Sequence, residues 1–210
     1  MATYDLDEQE KIDALKAWWK QHGNTVILGV AVFAATVVGV QGWRQYQINQ
    51  AMKASMTYDA LQNLLKSGEA KKSRDTAGQI IDQYPGTAYA PRAALLIAKT
   101  NHDVGDVQSA RAQLQWASEH ADEEEVRDTA RLRLAAVLLD EKNFGEALKQ
   151  VEGTSNPAFA ALFADVKGDI LAAQGKTQEA RTAYKTALEK MGSKGTYRQI
   201  IKMKMESLGS

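Results

Sequence analysis

Residues Gly23 to Trp43 read GNTVILGVAVFAATVVGVQGW, and everything else in the chain takes its place from them. No Asp, Glu, Lys or Arg stands between Lys20 and Arg44, and nine of the fifteen residues from Val26 to Val40 are Val, Ile, Leu or Phe. At 1.5 Å rise per residue, a helix from Trp19 to Trp43 is roughly 36 Å long, which crosses a hydrocarbon core of about 30 Å and reaches both interfaces. Each large apolar residue contributes about −0.3 to −0.6 kcal/mol on an insertion scale, so nine contribute on the order of −4 kcal/mol. Asn24, Thr25 and Gln41 lie near the ends, within reach of headgroups. Trp18, Trp19, Trp43 and Tyr46 bracket the stretch as an interfacial aromatic belt does. Residues 23–43 therefore read as one transmembrane helix.

Two other readings fit less well. A cleaved signal peptide has a basic start and a small-x-small site after its apolar core. Here 22 residues with five acidic side chains come first, and Val40-Gln41-Gly42-Trp43 is a poor cleavage site. A buried helix of a soluble domain rarely runs so long without a charge.

The chain has 210 residues, enough for one anchor and one sizeable soluble domain. Its 26 basic and 26 acidic residues balance. Residues 1–22 carry three Lys against five Asp and Glu, net −2, which leaves +2 for the rest. Neither part is basic enough to make nucleic acid a partner. The sequence has no Cys, which excludes disulfides, thiol nucleophiles and cysteine metal sites, and suits an oxidising compartment such as the periplasm. With three Pro and abundant Ala, the composition favours helices.

Residues 1–22 contain a short amphipathic helix, Asp5 to His22, in which Asp5 caps with Glu8 three positions on. Leu6, Ile12, Leu15, Trp18 and Trp19 recur at helical spacing, and Gly23-Asn24 suits its C-terminal end. It reads either as a membrane-surface or partner-binding helix or as a plain collar whose tryptophans anchor the interface. Lys11, Lys16 and Lys20 before the span outnumber Arg44 and Lys53 after it, which places the N-terminus in the cytoplasm by the positive-inside rule. Ala31, Ala35 and Gly39 stand four apart, a spacing that lets a second membrane helix approach, although small residues are common in such helices anyway. After Arg44 the helical pattern continues through Tyr46, Ile48, Met52, Met56 and Leu61 to Lys66, so the membrane helix is expected to run into the first helix of the soluble domain.

Residues 44–210 repeat. Ala77, Ala110, Ala147 and Ala180 are 33, 37 and 33 residues apart. GDVQSA, KNFGEA and GKTQEA end at the last three of them. Four residues after each alanine stand Ile81, Leu114, Val151 and Tyr184; twelve before stand Leu65, Ala98, Ala135 and Gly168. This is the spacing of a two-helix repeat of tetratricopeptide length, with small residues where the helices of a hairpin touch and a larger one wedged between neighbours. Gly105-Asp106, Asn143 and Gly175-Lys176 mark the turns, while Tyr84-Pro85-Gly86-Thr87 closes the first pair and Pro91 opens the next. The expected fold class is all-α: an N-terminal amphipathic helix, one transmembrane helix, then a tetratricopeptide-like repeat domain. Tyr197, Ile200, Ile201, Met203 or Lys204, and Leu208 give the last helix a broad apolar face, as expected of a cap on a solenoid.

Chemistry finds no foothold. In Asp122-Glu123-Glu124-Glu125 consecutive carboxylates point to different sides of a helix, and Asp122 as N-cap with acids in the first turn accounts for them. His102 and His120 have no second His at i+4 and no Cys nearby, so a zinc site is not expected. GxSxG, Walker, GxGxxG and HExxH patterns are absent. No catalytic residue, metal ligand or cofactor is expected. In repeats of this kind the first helix of each pair lines an inner groove. That register selects Arg92, Leu95, Lys99 and His102, then Thr129, Leu132, Ala136 and Leu139, then Leu162, Asp165 and Asp169. The Lys, Arg and Asn of a two-carboxylate clamp are missing, since Leu132, Ala136 and Asp169 occupy their places. A groove apolar at its centre and polar at its ends suits an apolar or amphipathic segment, supplied by a partner or by the protein's own helix.

EQEKIDALKAWWKQHGN at the start, GWRQYQ after the span, YPGTAYAPRAALLIAK in the repeats and the closing IIKMKMESLG together resemble the YfgM-like family, ancillary subunits of the bacterial SecYEG translocon. The resemblance runs over essentially the whole chain. It implies one inner-membrane span, a cytoplasmic N-terminus and a periplasmic repeat domain. It also implies association with SecYEG and with a membrane-anchored periplasmic chaperone of the PpiD type, in a role that passes newly exported polypeptides to chaperones. The expected function is thus a non-enzymatic adaptor. The competing reading is a cell-envelope scaffold or regulator that binds a signalling or cell-wall assembly partner through its repeats.

Overall fold

The computed structural model describes residues 3–154, 156–191 and 196–209, with side chains from Glu8 onward. The roles read for Asp5 and Leu6 lie outside the described side chains. Among the described residues there are nine helices and no strand. The chain divides into two compact units, Met1–Asn49 and Gln50–Ser210.

Helix α1, Thr3–Lys66, supplies the described part of the first unit and the opening helix of the second. The break expected at Gly23-Asn24 does not occur. A helix-ending glycine adopts positive φ, and Gly23 is not among the residues that do. Instead the Trp19 ring lies over it, so that an added Cβ would stand 3.1 Å from the Trp19 indole nitrogen. Through the span the large side chains are uncovered, with Phe33 and Val38 at 71% and 70% exposure. A core helix of a soluble domain buries such side chains. Trp18 stacks on His22 with ring centroids 5.3 Å apart, and Trp43 meets Tyr46 at 5.9 Å. All three tryptophans and Tyr46 are exposed, and nothing lies within 4 Å of a Cβ built on Gly39.

The second unit is a stack of hairpins. The C-terminal part of α1 is followed by α2 (Ala70–Gln83), α3 (Tyr89–Asp103) by α4 (Val107–His120), α5 (Glu124–Asp140) by α6 (Phe144–Gln150), and α7 (Ala160–Ala173) by α8 (Thr177–Lys190). Helix α9 (Thr196–Ser207) closes the stack against α8. The four seam alanines, Ala77, Ala110, Ala147 and Ala180, are completely buried. Ala98 and Ala135 are buried beside them, and Gly168 lies under the Tyr184 ring. Helices 8–10 Å apart need small side chains at the crossing, which is what this register supplies.

All four hairpins turn by the same backbone device. Gly68, Gly105, Lys142 and Gly175 have φ of 74°, 83°, 58° and 76°. At the second, the Gly105 N–H donates to His102 O (2.9 Å) and the Asp106 N–H to Asn101 O (2.8 Å). The Lys142 turn matches it, with Lys142 donating to Leu139 O (2.9 Å) and Asn143 to Leu138 O (2.8 Å). This is the Schellman termination, which glycine enters without the Cβ clash that costs other residues about 1–2 kcal/mol. Lys142→Gly is therefore expected to stabilise the protein by about 1 kcal/mol. Gly105→Lys should cost a similar amount. Denaturant titration of the full-length chain in detergent checks both.

Within the repeat unit two expectations need correction, at Asp122 and in α9. Asp122 is not the N-cap of α5; Glu123 holds that place, without a side-chain cap bond, because its carboxylate is engaged by Arg92. Acids do fill the first turn, as Glu124 and Glu125. The third hairpin is lopsided: α6 has 7 residues where α4 and α8 have 14. The chain leaves the helix at Val151, which still fills its wedge position at 3% exposure, and Thr154 then donates to the buried carboxylate of Asp128. Asn156 before Pro157 is biased away from helix, and its side-chain oxygen accepts from the Ala158 N–H (3.0 Å). In α9, Ile201, Met205 and Leu208 face the core, while Tyr197, Ile200 and Met203 are exposed. Lys204 points inward because two carboxylates await it there.

Candidate functional site

The inner positions of the first helices are divided between two separate hollows and the core. Arg92, at the start of α3, donates to Glu123 Oε1 (2.7 Å) and, with its other nitrogen, to Oε2, and also to Ala88 O (2.7 Å). This pairing holds the Glu123 carboxyl below its usual range and raises the Arg92 guanidinium. The pair clasps the N-terminal ends of α3 and α5, beside a shallow hollow of about 300 Å³ that also includes Pro91, His120 and Val126. His120 stacks flat on Trp116, with centroids 4.4 Å apart.

Further along, Lys99 and His102 of α3 and Ala136 of α5 border a depression of about 380 Å³ whose floor is Ala98, Leu114 and Val137. Its rim is completed by Arg133 and Asp140, which the inner-position register passes over. The missing signal was in the text: Ala136 is a small residue 37 positions after Lys99 and 33 before Asp169, so the wall dips there. Leu95 belongs to the core at 9% exposure. Leu132 and Leu139 are half-buried and pack against the same core cluster, so they are shared between core and face. Thr129 turns its hydroxyl back to Glu125 O (2.6 Å), and Leu162 is half-buried.

Asp165 and Asp169 line no open groove. Asp165 is fully buried and accepts from the Tyr197 hydroxyl (2.6 Å) and from Lys204 Nζ (3.0 and 3.1 Å). Asp169 accepts from Lys204 Nζ (2.7 Å) and from the Tyr184 hydroxyl (2.8 Å). The inner face of the last hairpin is thus covered by the protein's own α9. A buried carboxylate requires such partners, and α9 delivers them across more than 30 residues of chain.

Among the described residues, no group of three or more His, Cys, Asp or Glu is arranged to hold a metal ion. What the face offers is binding, through an apolar floor and a mixed charged rim.

Comparison with known proteins decides the family. Residues 16–210 match the model of a tetratricopeptide repeat-like domain. The chain is 32% identical to the ancillary SecYEG translocon subunit of Haemophilus influenzae, over 98% of this chain and 100% of that one. It belongs to the YfgM-like family. The ancillary SecYEG translocon subunit of Neisseria gonorrhoeae is 30% identical over 97% of this chain and 98% of its own, and that of Escherichia coli 27% over 90% of each. Among solved structures, MamA from Desulfovibrio magneticus superposes with a TM-score of 0.54 over 74% of this chain and 89% of its own. At 16% identity that likeness concerns the fold alone. YfgM-like proteins are accessory subunits, and this chain is not an enzyme. Its likeness to translocon subunits and the uncovered apolar stretch of α1 together mark it as a membrane protein.

Proposed function

We propose that the chain is a membrane-anchored adaptor at the SecYEG translocon of the inner membrane. Residues 23–43 cross the bilayer once, residues 1–22 lie in the cytoplasm, and residues 44–210 form the periplasmic repeat domain. The repeats hold a PpiD-type membrane-anchored chaperone or an exported polypeptide, and link newly exported chains to periplasmic chaperones. The observation that carries this reading is the end-to-end likeness to ancillary SecYEG translocon subunits, anchor and repeats together. Supporting it, the charge-free span exposes its large apolar residues from Ile27 to Val40, and a repeat face with an apolar floor remains open between α3 and α5.

A photo-crosslinking amino acid at Val30 tests the anchor, and one at Lys99 tests the repeat face. The expected products are adducts with translocon subunits from Val30, and with a periplasmic chaperone or exported chain from Lys99. Adducts from Lys99 only with signalling or cell-wall assembly proteins would move the chain to the envelope-scaffold reading. Protease added outside intact spheroplasts should cut within residues 44–210; protection of that part would reverse the orientation.

A further inference from the structure

We propose that the depression between α3 and α5 binds a peptide segment in which an apolar side chain is neighboured by a carboxylate. This rests on the reading of the repeats as the partner-holding part of the chain, not on the translocon. The floor of Ala98, Leu114 and Val137 is apolar, its three residues 2%, 3% and 6% exposed. Its volume of about 380 Å³ lies at the small end of the range for ligand sites. The opening exists because Ala136 stands where the neighbouring hairpins carry Lys99 and Asp169.

The rim is polarised. At one end Arg133 donates only to the Leu95 carbonyl, at 3.3 Å, and no carboxylate is bonded to it among the described residues. A guanidinium has five N–H donors in a fork that matches a carboxylate, so most of that capacity is unspent. Lys99 is held by Asp103 in an exposed i,i+4 pair at 2.5 Å, a kind of pair that costs little to open. Glu141, which follows Asp140 in the chain, is engaged by Arg111 at 3.1 Å. Asp140 sits on the rim seven residues after Arg133, two turns along α5, where it repels an incoming carboxylate and leaves the Arg133 end as its seat. The floor takes the apolar side chain while Arg133 and Lys99 take the charge, so charge and shape select the same ligand.

The probes are fluorescein-labelled GSALELASG-amide and its counterpart GSALKLASG-amide, titrated by polarisation against the full-length chain in nanodiscs. The acidic peptide should bind at least tenfold more tightly than the lysine peptide. Ala136→Trp, which fills the depression, should abolish binding, and Arg133→Glu on the exposed rim should invert the preference. Equal binding of the two peptides, no binding of either, or an unchanged preference in Arg133→Glu overturns the proposal. Should Ala136→Trp lose helicity, the Arg133→Glu inversion decides alone. Co-purification of SecYEG with Arg133→Glu separates this site from the adaptor role. Equal binding of the two peptides by the unmodified chain, with SecYEG still co-purifying, sinks only the site, and discrimination by a chain that gives no translocon adduct sinks only the adaptor.

Discussion

Gly168→Leu is expected to lower the stability of the repeat domain by about 3 kcal/mol, the upper end of what overpacking a filled core costs. A Cβ at this position would lie 2.5 Å from Cδ1 of Tyr184, far inside van der Waals contact. The ring has nowhere to go. It is 3% exposed, it belongs to a cluster with Leu171, Ala180, Ala183, Ala187 and Ile201, and its hydroxyl is tied to Asp169 at 2.8 Å. Thermal unfolding in detergent should show a midpoint lower by roughly 6–12 °C, at about 2–4 °C per kcal/mol for a domain of this size. Gly78→Ala is the control. Gly78 lies inside α2 with no atom within 4 Å of an added Cβ, so that change should stabilise by about 0.5–1 kcal/mol. Trimming the ring in a Gly168→Ala, Tyr184→Leu double variant should recover part of the loss. If Gly168→Ala alone behaves like Gly78→Ala, the glycine–tyrosine seam is not present in solution.

The same seam shows why much of the fold was legible. Each of the last three hairpins pairs a small residue with a wedge: Ala98 with Leu114, Ala135 with Val151, and Gly168 with Tyr184, where the smallest residue meets the largest. Sequence carries that compensation directly, because both partners keep a fixed distance from the seam alanine. The anchor was legible for a similar reason, since absence of charge over its length is a local property. Long-range pairings left no such trace. Asp165 and Asp169 look like groove residues until α9 is placed on them. Lys204 shares a place in the apolar pattern with Met203, and nothing local tells which of the two turns inward. Besides Arg131 on its own helix, Asp128 is bonded by Thr154, beyond an unusually short α6. At Lys142 the signal existed but needed alignment: it stands 37 residues after Gly105 and 33 before Gly175, where only the backbone conformation is shared. The depression at Ala136 was half legible, because the register selected Lys99, His102 and Ala136 but passed over Arg133 and Asp140.

Lys204→Met should be the other severe change. The variant keeps an unbranched apolar stem, one atom shorter, and removes the ammonium with its charge and its N–H donors, leaving Asp165 and Asp169 without their cation beneath α9. Their side chains are 1% and 28% exposed and that of Lys204 is 30% exposed. Breaking a buried ion pair by deleting one partner costs about 3–5 kcal/mol, and the partial exposure of this one argues for about 3 kcal/mol. Adding Asp165→Asn to Lys204→Met should return part of that, since one uncompensated charge is then gone. A double-mutant cycle reads the coupling. If the two changes simply add, the lysine is solvated and the carboxylates do without it. The same cluster sets a limit at high pH. Burial lowers the Lys204 ammonium, but its bonds to Asp169 and Asp165 outweigh this and the net shift is upward. Burial first, and then the bonds to Asp169 and Asp165, push the Tyr184 and Tyr197 phenols far above their usual range. Groups raised on folding contribute fully below their unfolded values, about 10 for tyrosine and 10.4 for lysine. Their contribution drains away as pH climbs beyond those values, because the unfolded chain then releases protons that the folded one retains. Stability should therefore be flat near neutrality with respect to this cluster and fall steeply above about pH 10. Tyr184→Phe with Tyr197→Phe should flatten that descent, at some cost in stability near pH 7. An unchanged alkaline slope in the double phenylalanine variant would show that the cap is held by Ile201, Met205 and Leu208 alone.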